Sequence, residues 1–146
     1  MAGYSQTPLA QKLGIKQGTK IFPVNAPGNY KKLVAPLPDG VRMAARMGPR
    51  IDVVHLFSRN KTHLTKVLPN LLTKLKSDGV IWVSWPKKVS GVATDITEDV
   101  VRAAALPLGL VDIKVCAVDE TWSGLKLVLR KENRRKVPGA AVTRVR

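Results

Sequence analysis

Two runs of apolar residues dominate the hydrophobic pattern of the chain, at residues 51–57 and 80–85. Both are nearly continuous rather than alternating, which is typical of strands covered on both faces within a parallel sheet. Residues 20–25 predict a further strand, although Pro23 cannot donate a hydrogen bond to a sheet ladder. Residues 41–46 carry a weaker strand pattern. The chain is therefore predicted to contain a mostly parallel sheet with two deeply buried central strands.

A helical pattern separates the two buried strands. Its apolar residues recur at the spacing of one helix face, and they are Leu64, Val67, Leu68, Leu71, Leu72 and Leu75. Ser58 or Asn60 can cap the start of this helix. Pro69 is expected to kink or split it, because proline removes a backbone donor. The Asp-Gly pair at 78–79 is expected to end it.

A second helix and a hairpin complete the pattern. Asp95 and Glu98 fit a capping box that opens a helix running to about residue 106. Two strands with partial alternation of apolar and polar residues follow at 111–119 and 125–130. Only a short turn separates these strands, which predicts an antiparallel hairpin.

The order of these elements predicts an α/β fold, a three-layer sandwich with a mostly parallel, Rossmann-like sheet and a C-terminal antiparallel hairpin. Residues 1–19 are expected to form an arm with a short helix around residues 9–13. One or two helical turns are expected at 30–35. We expect a single domain over residues 1–130 and a basic, flexible tail over 131–146.

Charge narrows the range of partners. The net charge is +15, and the stretch from Arg130 to the end holds seven Lys and Arg residues and one Glu. Such a balance favours an anionic ligand or nucleic acid, although net charge also keeps proteins soluble. The sequence does not otherwise identify a partner or a cofactor.

Cysteine content and hydropathy indicate the compartment. Cys116 is the single cysteine, which excludes an internal disulfide and a cysteine-rich zinc site. The first residues lack a cationic start followed by an apolar stretch, so no signal peptide is predicted. No apolar run approaches the length of a bilayer span. We therefore expect a cytoplasmic protein without a membrane partner.

The expected sheet also predicts where a ligand binds. Open parallel sheets bind ligands beyond the carboxyl ends of their strands. The loops predicted at that rim are 25–29, 58–60, 86–95 and 120–124. The first of them, in the sequence NAPGNY, contributes Asn25 and Gly28 as candidate ligand-binding residues.

The strand at 80–85 ends in Trp85 and is followed by a proline and two adjacent lysines. Lys87 and Lys88, together with Ser90, could hold a phosphate or a carboxylate, and a solvated loop is the alternative. Trp82 and Trp85 lie an odd number of positions apart, so they face opposite sides of the sheet. Trp82 is predicted to pack under a helix, whereas Trp85 either lines a pocket or belongs to the core.

The hairpin turn holds a second group of candidates, Asp119, Glu120 and Trp122. Two neighbouring carboxylates suggest acid–base or metal chemistry, and a polar turn fixed by the tryptophan is the alternative. His55 lies inside a buried strand and is expected to be a neutral, hydrogen-bonded imidazole. His63 is expected to be exposed, and the two histidines form no metal motif. No catalytic residue is assigned.

Several segments resemble known families. The segments TPLAQKLGIK, VNAPGNY, DVVHLF, IWVSWPKK, TDITEDVVR and DETWSGLKLVLR resemble a family of small bacterial proteins catalogued as a domain of unknown function. The succession of DVVHLF, a leucine-rich helix, SDG and VIWVSWP also looks like the second half of a Rossmann-like methyltransferase. The resemblance implies the fold and a bacterial cytoplasmic protein, and it implies no established activity.

A methyltransferase or dinucleotide cofactor usually needs a glycine-rich turn after the first strand and an acid after the second. NAPGNY has one glycine and does not match that turn, and VRMAARMGPR offers arginines and no acid. We therefore expect a non-catalytic binding or regulatory module on a Rossmann-like scaffold. The alternatives are a divergent methyltransferase that uses S-adenosylmethionine, and a nucleic-acid-binding protein that uses its basic surface and tail.

Overall fold

A computed structural model of the protein describes residues 7–46 and 48–136. The strands are β1 (Lys20–Val24), β2 (Arg42–Met43), β3 (Ile51–Phe57), β4 (Leu75–Pro86), β5 (Leu110–Ala117) and β6 (Trp122–Leu129). The helices are α1 (Leu9–Lys12), α2 (Tyr30–Val34), α3 (Lys61–Leu72) and α4 (Glu98–Ala105). Short 3₁₀ turns occupy Lys88–Ser90, Leu106–Leu108 and Lys131–Lys136.

The six strands form one sheet in the order β2-β1-β3-β4-β6-β5. The first four strands are parallel to one another, and β6 runs antiparallel to both β4 and β5. The pairing of β5 with β6 shifts between Asp112 and Lys114, so Ile113 is an extra residue, a β-bulge. The predicted α/β class, with a mostly parallel sheet and a closing antiparallel hairpin, is confirmed.

Each face of the sheet has its own hydrophobic core. On one face, hereafter the α3–α4 face, the leucines of α3 and Val101 of α4 cover the apolar residues of β3, β4 and β6. On the other, hereafter the arm face, Leu9, Leu13 and Tyr30 cover Trp82 and Phe57. These two cores give the three layers that the sequence predicted.

The two tryptophans of β4 belong to different cores. Trp82 is fully buried on the arm face, where its indole Nε1 donates to the Leu13 carbonyl oxygen at 3.0 Å. Trp85 is buried on the α3–α4 face. The predicted opposite orientation is confirmed, and the hydrogen bond of Trp82 anchors the N-terminal arm to the sheet.

The boundary between α3 and β4 differs from the prediction. The helix runs through Pro69 as one element and ends at Leu72, because the proline lies in its last turn and removes only one backbone hydrogen bond. The next strand starts at Leu75, which the sequence pattern assigned to the helix. Its pairing with β3 is irregular before Val80. Because of this irregularity, the apolar spacing in the sequence did not indicate a strand there.

Of the predicted helix caps, Asn60 at α3 is confirmed, whereas the cap of α4 differs. Asn60 caps α3, since its Oδ1 accepts from the His63 backbone N–H at 3.1 Å. Thr97, rather than Asp95, caps α4 through the Val100 backbone N–H at 3.2 Å. The capping box of Asp95 with Glu98 is therefore wrong. Asp95 instead accepts from the Lys61 backbone N–H at 2.7 Å, so it caps α3 from a distant part of the chain.

The chain continues past β6 along the sheet. Residues Lys131–Lys136 form a 3₁₀ turn, and the Asn133 side-chain amide donates to the Gly109 carbonyl oxygen at 3.3 Å. The predicted flexible tail began at residue 131, and its residues 137–146 lie outside the described residues. Within residues 7–46 and 48–136, no helix has the length and apolar character needed to cross a membrane.

Candidate functional site

A cleft of about 420 Å³ opens at the carboxyl rim of the parallel strands. It is lined by Asn25, Pro27, Phe57, Ser58, Arg59, Asn60, His63, Val92 and Trp122. These residues come from the loop after β1, the end of β3 with the start of α3, the loop after β4, and the β5–β6 hairpin. We call this feature the rim cleft.

The rim cleft lies at the point where the strand order reverses. From β1 the sheet continues to β2 on one side and to β3 on the other. The loops that leave β1 and β3 therefore diverge to opposite faces and leave a crevice between them. Ligands of open α/β sheets bind in the crevice at this position. The strand order therefore explains why a cleft forms here.

Two aromatic rings form the apolar wall of the cleft. The ring of Phe57 meets Trp122 edge-on, with centroids 5.0 Å apart and planes at 90°. Behind it, His55 stacks on Phe57 with centroids 4.3 Å apart. Phe57 is buried and Trp122 is half-buried. The wall thus presents a flat, partly exposed indole that rests on a rigid core, which suits a planar ligand group.

A chain of hydrogen bonds forms the polar wall. The Ser58 hydroxyl donates to the Asn60 carbonyl oxygen at 3.3 Å and lies 2.9 Å from His63 Nδ1. Nδ1 then carries the proton, and Nε2 accepts from the Asn25 side-chain amide at 3.1 Å. Asn25 itself has a left-handed backbone, with φ of 56°, which asparagine tolerates better than most residues. The chain holds the β1 loop against the first turn of α3.

Arg59 supplies the positive charge of the cleft. Its side chain is exposed, while its backbone carbonyl oxygen accepts from the Thr94 hydroxyl at 2.7 Å. That bond ties the β3 loop to the segment before α4. Among the described residues that line the cleft, Arg59 and His63 are the ionisable ones. The cleft therefore combines one cation, amide and imidazole groups, and an aromatic wall.

The structure places the predicted residues of the first loop at the cleft. Asn25 lines it and bonds to His63. Gly28 follows the lining residue Pro27 and is exposed. A Cβ atom at Gly28 would meet open space, so packing within the chain does not require glycine there. Trp85 does not line the cleft, because it is buried against α3 and α4.

The Lys87–Ser90 segment lies outside the lining of the cleft. The Lys87 backbone N–H donates to the Thr121 carbonyl oxygen at 2.7 Å. The Ser90 hydroxyl donates to the Lys87 carbonyl oxygen at 2.6 Å and accepts from the Val92 backbone N–H at 3.2 Å. Ser90 therefore stabilises the turn that carries Val92 into the cleft. Anion binding by Lys87 and Lys88 stays a prediction.

The hairpin residues have distinct positions. Asp119 Oδ1 accepts from the backbone N–H groups of Thr121 and Trp122, both at 2.8 Å. Glu120 is exposed, and Trp122 lines the cleft. These bonds fit the polar-turn interpretation, in which Asp119 sets the turn that presents Trp122. Within the described residues, no group of three or more His, Cys, Asp or Glu side chains could hold a metal ion.

Arg59 and His63 were missed by the sequence reasoning. The loop at 58–60 was predicted to lie at the rim, but its residues were not taken as ligand-binding candidates. His63 was expected to be exposed, whereas it is half-buried and bonded through both ring nitrogens. A usable signal was its position, since it lies in the first turn of a helix that follows a rim loop.

A second polar chain lies buried beneath the aromatic wall. The Tyr30 hydroxyl is 2.9 Å from His55 Nδ1, and His55 Nε2 is 2.8 Å from Ser84 Oγ. Burial lowers the pKa of His55 to about 3 and raises the pKa of Tyr30, because both charged forms would be desolvated. The predicted burial and hydrogen bonding of His55 are confirmed. Its ring supports Phe57 and thereby the cleft wall.

Comparison with protein families gives one match. Residues 43–131 match the family described as "Protein of unknown function (DUF3052)". The chain belongs to this family. The match spans β3 to β6 and most of the lining of the rim cleft, while Asn25 and Pro27 precede it. No curated protein sequence matches this DUF3052 protein.

Solved structures similar to the DUF3052 protein include several methyltransferases. TrmN from Thermus thermophilus has a TM-score of 0.57 at 11% identity, over 84% of this chain and 47% of TrmN. A putative type 11 methyltransferase from Sulfolobus solfataricus has a TM-score of 0.56 at 15% identity, over 84% of this chain and 90% of that one. A methyltransferase from Pyrococcus furiosus has a TM-score of 0.56 at 10% identity, over 82% and 78%. At these identities the likeness shows the fold, and this chain spans less than half of TrmN.

Proposed function

We propose that this DUF3052 protein is a non-catalytic binding module that holds a small anionic ligand with a planar ring in the rim cleft. The observation that supports the proposal is the pairing of Arg59 with the Trp122–Phe57 wall in one cleft at the strand-order switch point. The guanidinium suits a carboxylate or a phosphate, because it can donate two parallel hydrogen bonds. The partly exposed indole suits the flat part of the same ligand.

The groups that could do chemistry in the cleft are already engaged. Ser58 is only 3% exposed, so its hydroxyl is not accessible as a nucleophile. Both ring nitrogens of His63 have partners within the chain. A general base must reach the proton that it abstracts, and here the imidazole instead fixes the β1 loop. These features favour binding over catalysis.

An adenosyl ligand is the second candidate, in line with the divergent methyltransferase alternative. The observation that favours it is the position of the cleft, where Rossmann-like sheets bind their nucleotides, in a fold shared with methyltransferases. Against it, the loop after β1 has one glycine, and Ala44, Ala45 and Arg46 follow β2 where an acid would meet the ribose.

Thermal unfolding of the full chain with a ligand panel tests both candidates. The panel contains aromatic carboxylates, aryl phosphates, ATP, NAD and S-adenosylhomocysteine. A ligand present at about 100 times its Kd stabilises the folded protein by roughly 2.7 kcal/mol, which raises Tm by several degrees for a domain of this size. A shift with the aryl anions supports the proposal. A shift confined to S-adenosylhomocysteine would replace it with the second candidate.

A charge-removing variant ties any binding to the rim cleft. Arg59→Gln should weaken an anionic ligand about tenfold or more, because a hydrogen bond to a charged group is worth about 1.5–3 kcal/mol. Arg42→Gln is the matched control, since Arg42 is exposed at the opposite end of the sheet, at the start of β2. Isothermal titration calorimetry measures both. Equal affinity in the two variants would contradict the assignment of the site.

A further inference from the structure

A separate cationic feature lies on the arm face of the sheet. Lys114 of β5 and Lys126 of β6 are direct cross-strand partners, and Lys126 is also paired with Trp82 of β4. Directly opposite residues share a face, so both lysines lie on the face that the arm covers. Lys12 and Lys16 of the arm complete the group. We call Lys12, Lys16, Lys114 and Lys126 the lysine patch.

Contacts and electrostatics place the four side chains near one another. Lys12 Nζ donates to the Ala117 carbonyl oxygen at 3.3 Å, three residues from Lys114 along β5. Partial burial and then the charges of Lys114 and Lys16 lower the pKa of Lys126. Burial raises the pKa of Cys116, and the charges of Lys12 and Lys114 oppose that rise. The four ammonium groups therefore act on a common region.

The lysine patch is unfavourable for the folded chain by itself. Like charges directly opposite each other in a sheet are destabilising, and Lys126 is also half-buried. The salt bridges of residues 7–46 and 48–136 use Lys76 and Arg102, and none of them involves a lysine of the patch. An arrangement that violates a local rule without an internal compensation is a mark of a functional surface.

A second cleft, of about 480 Å³, adjoins the lysine patch at the amino end of the sheet. Lys16, Lys126 and Lys76 line it, together with the carboxylates Asp52 and Asp78. Asp52 forms a salt bridge with Lys76 at 2.9 Å and accepts a hydrogen bond from the Lys20 backbone N–H at 2.8 Å. Lys76 is thus paired with Asp52, whereas Lys16 and Lys126 line the recess without a salt bridge among the described residues, and the exposed Asp78 is its other carboxylate.

We propose that the lysine patch binds the phosphodiester backbone of a nucleic acid. Ammonium groups gathered along neighbouring strands match a chain of repeating phosphates, and such contacts release condensed counterions. The patch lies on the arm face of the sheet and shares no residue with the lining of the rim cleft, so it is independent of the small-ligand proposal. The contacts are to phosphate, so binding depends on charge and not on base sequence.

The apolar surroundings favour a nucleic acid over an acidic protein. Protein interfaces are depleted in lysine and have an apolar centre. Among the described residues, the exposed large apolar side chains are Val89, Leu106, Ile113 and Val115. Val89 follows β4 at the carboxyl rim and Leu106 follows α4, while Val115 pairs with Leu125 on the α3–α4 face. Only Ile113 at the bulge lies beside the patch.

The test uses the full chain with Lys114→Gln and Lys126→Gln combined. Fluorescence anisotropy with short labelled oligonucleotides, single-stranded and duplex, should show a loss of affinity of about tenfold or more. The negative slope of log K against log[salt] should become shallower by about 1.4–1.8, as expected for two lost phosphate contacts. The same variant should unfold at a higher temperature, because it removes the repulsion between Lys114 and Lys126. Greater stability with weaker binding separates a lost site from a damaged fold.

Two matched variants remove the same charge elsewhere. Lys66→Gln with Lys74→Gln changes exposed positions of α3 and of the turn after it, and Arg144→Gln with Arg146→Gln changes the C-terminal sequence. Both should retain most of the oligonucleotide affinity. The proposal is overturned if either control loses as much affinity as the patch variant, or if the patch variant binds like the wild type. Poly-glutamate that competes as well as an oligonucleotide would assign the patch to an acidic protein instead.

Discussion

Among single residues, the burial of His55 has the clearest consequence for the pH dependence of folding stability. The folded chain holds its pKa at about 3, against 6.5 for an ordinary histidine. Below about pH 6.5 the unfolded chain therefore binds a proton that the folded chain does not bind. The contribution of His55 to stability is complete above pH 6.5 and is lost as the pH falls toward 3.

Urea unfolding at a series of pH values tests this expectation. The free energy of unfolding of the wild type should fall by up to about 1.4 kcal/mol per pH unit between about pH 6 and 4.5. His55→Gln, although less stable at neutral pH, should show a flatter profile. In the wild type, the ring resonances of His55 should not titrate over that range. A His55 ring that titrates near its ordinary pKa would contradict the buried assignment.

The two histidines also show which properties of a single residue can be predicted from the sequence. His55 lies in a continuous apolar run, and that context alone predicts a buried neutral ring. His63 lies on a helix of mixed polarity, and its bonds to Ser58 and Asn25 depend on where the β1 loop meets the helix. Asn25 is 38 residues away along the chain, so no local pattern could reveal the contact.

At the scale of elements, the helix caps show most clearly how contacts between distant parts of the chain escape a sequence argument. Asp95 was predicted to open α4 and instead caps α3 through Lys61 at 2.7 Å. A capping argument based on sequence considers only neighbouring residues, whereas a side-chain oxygen can cap any helix that the fold brings close. The same bond joins the loop after β4 to the helix beside the rim cleft, so Asp95 helps to position two walls of the cleft.

Asp95→Ala should therefore lower the free energy of unfolding by about 1 kcal/mol, the usual contribution of a helix cap. Chemical denaturation with a fluorescence readout of the tryptophans measures it. Asp99→Ala is the control, because the Asp99 side chain is 93% exposed in its salt bridge with Arg102, and such pairs contribute little. Equal losses in both variants would mean that the Asp95 bond is not a stabilising cap.

The elements themselves were predictable where burial dominates. The runs at 51–57 and 80–85 lie in β3 and β4, and the leucine stripe lies in α3. The predicted element boundaries were wrong where the chain is irregular, as at Leu75. This residue lies in an irregular part of β4, and its side chain packs in the core, so it continues the apolar spacing of the preceding helix.

At the scale of the whole molecule, the rim of the sheet was predictable but the composition of the cleft was not. The switch point follows from strand order, and the rim loops follow from the strands. The lining requires the actual approach of Arg59, Val92 and Trp122, which come from three separate loops. The lysine patch likewise depends on strand register and on the docking of the arm.

The open edges of the sheet raise a question of self-association. An edge strand presents unpaired backbone groups that can recruit another chain. One edge, β2, is only two residues long. The other, β5, is interrupted at Ile113, and a bulge twists an edge away from a regular partner.

Deleting Ile113 should straighten β5 and promote self-association, because it restores a continuous ladder of backbone donors and acceptors at the edge. Size-exclusion chromatography with light scattering should detect larger species at high protein concentration. Ile113→Thr removes the exposed apolar side chain and keeps the extra residue, so it should stay as dispersed as the wild type. A deletion variant that stays as dispersed as the wild type would contradict a protective role for the bulge.

The same bulge sets the charge of each side of the sheet. Asp112 and Lys114 are two residues apart, which in a regular strand would put them on one face. The extra residue sends Asp112 to Arg102 on the α3–α4 face and Lys114 to Lys126 on the arm face. One inserted residue thus separates an acid from a base, so that the acid joins β5 to α4 through Arg102 and the base stays exposed on the arm face.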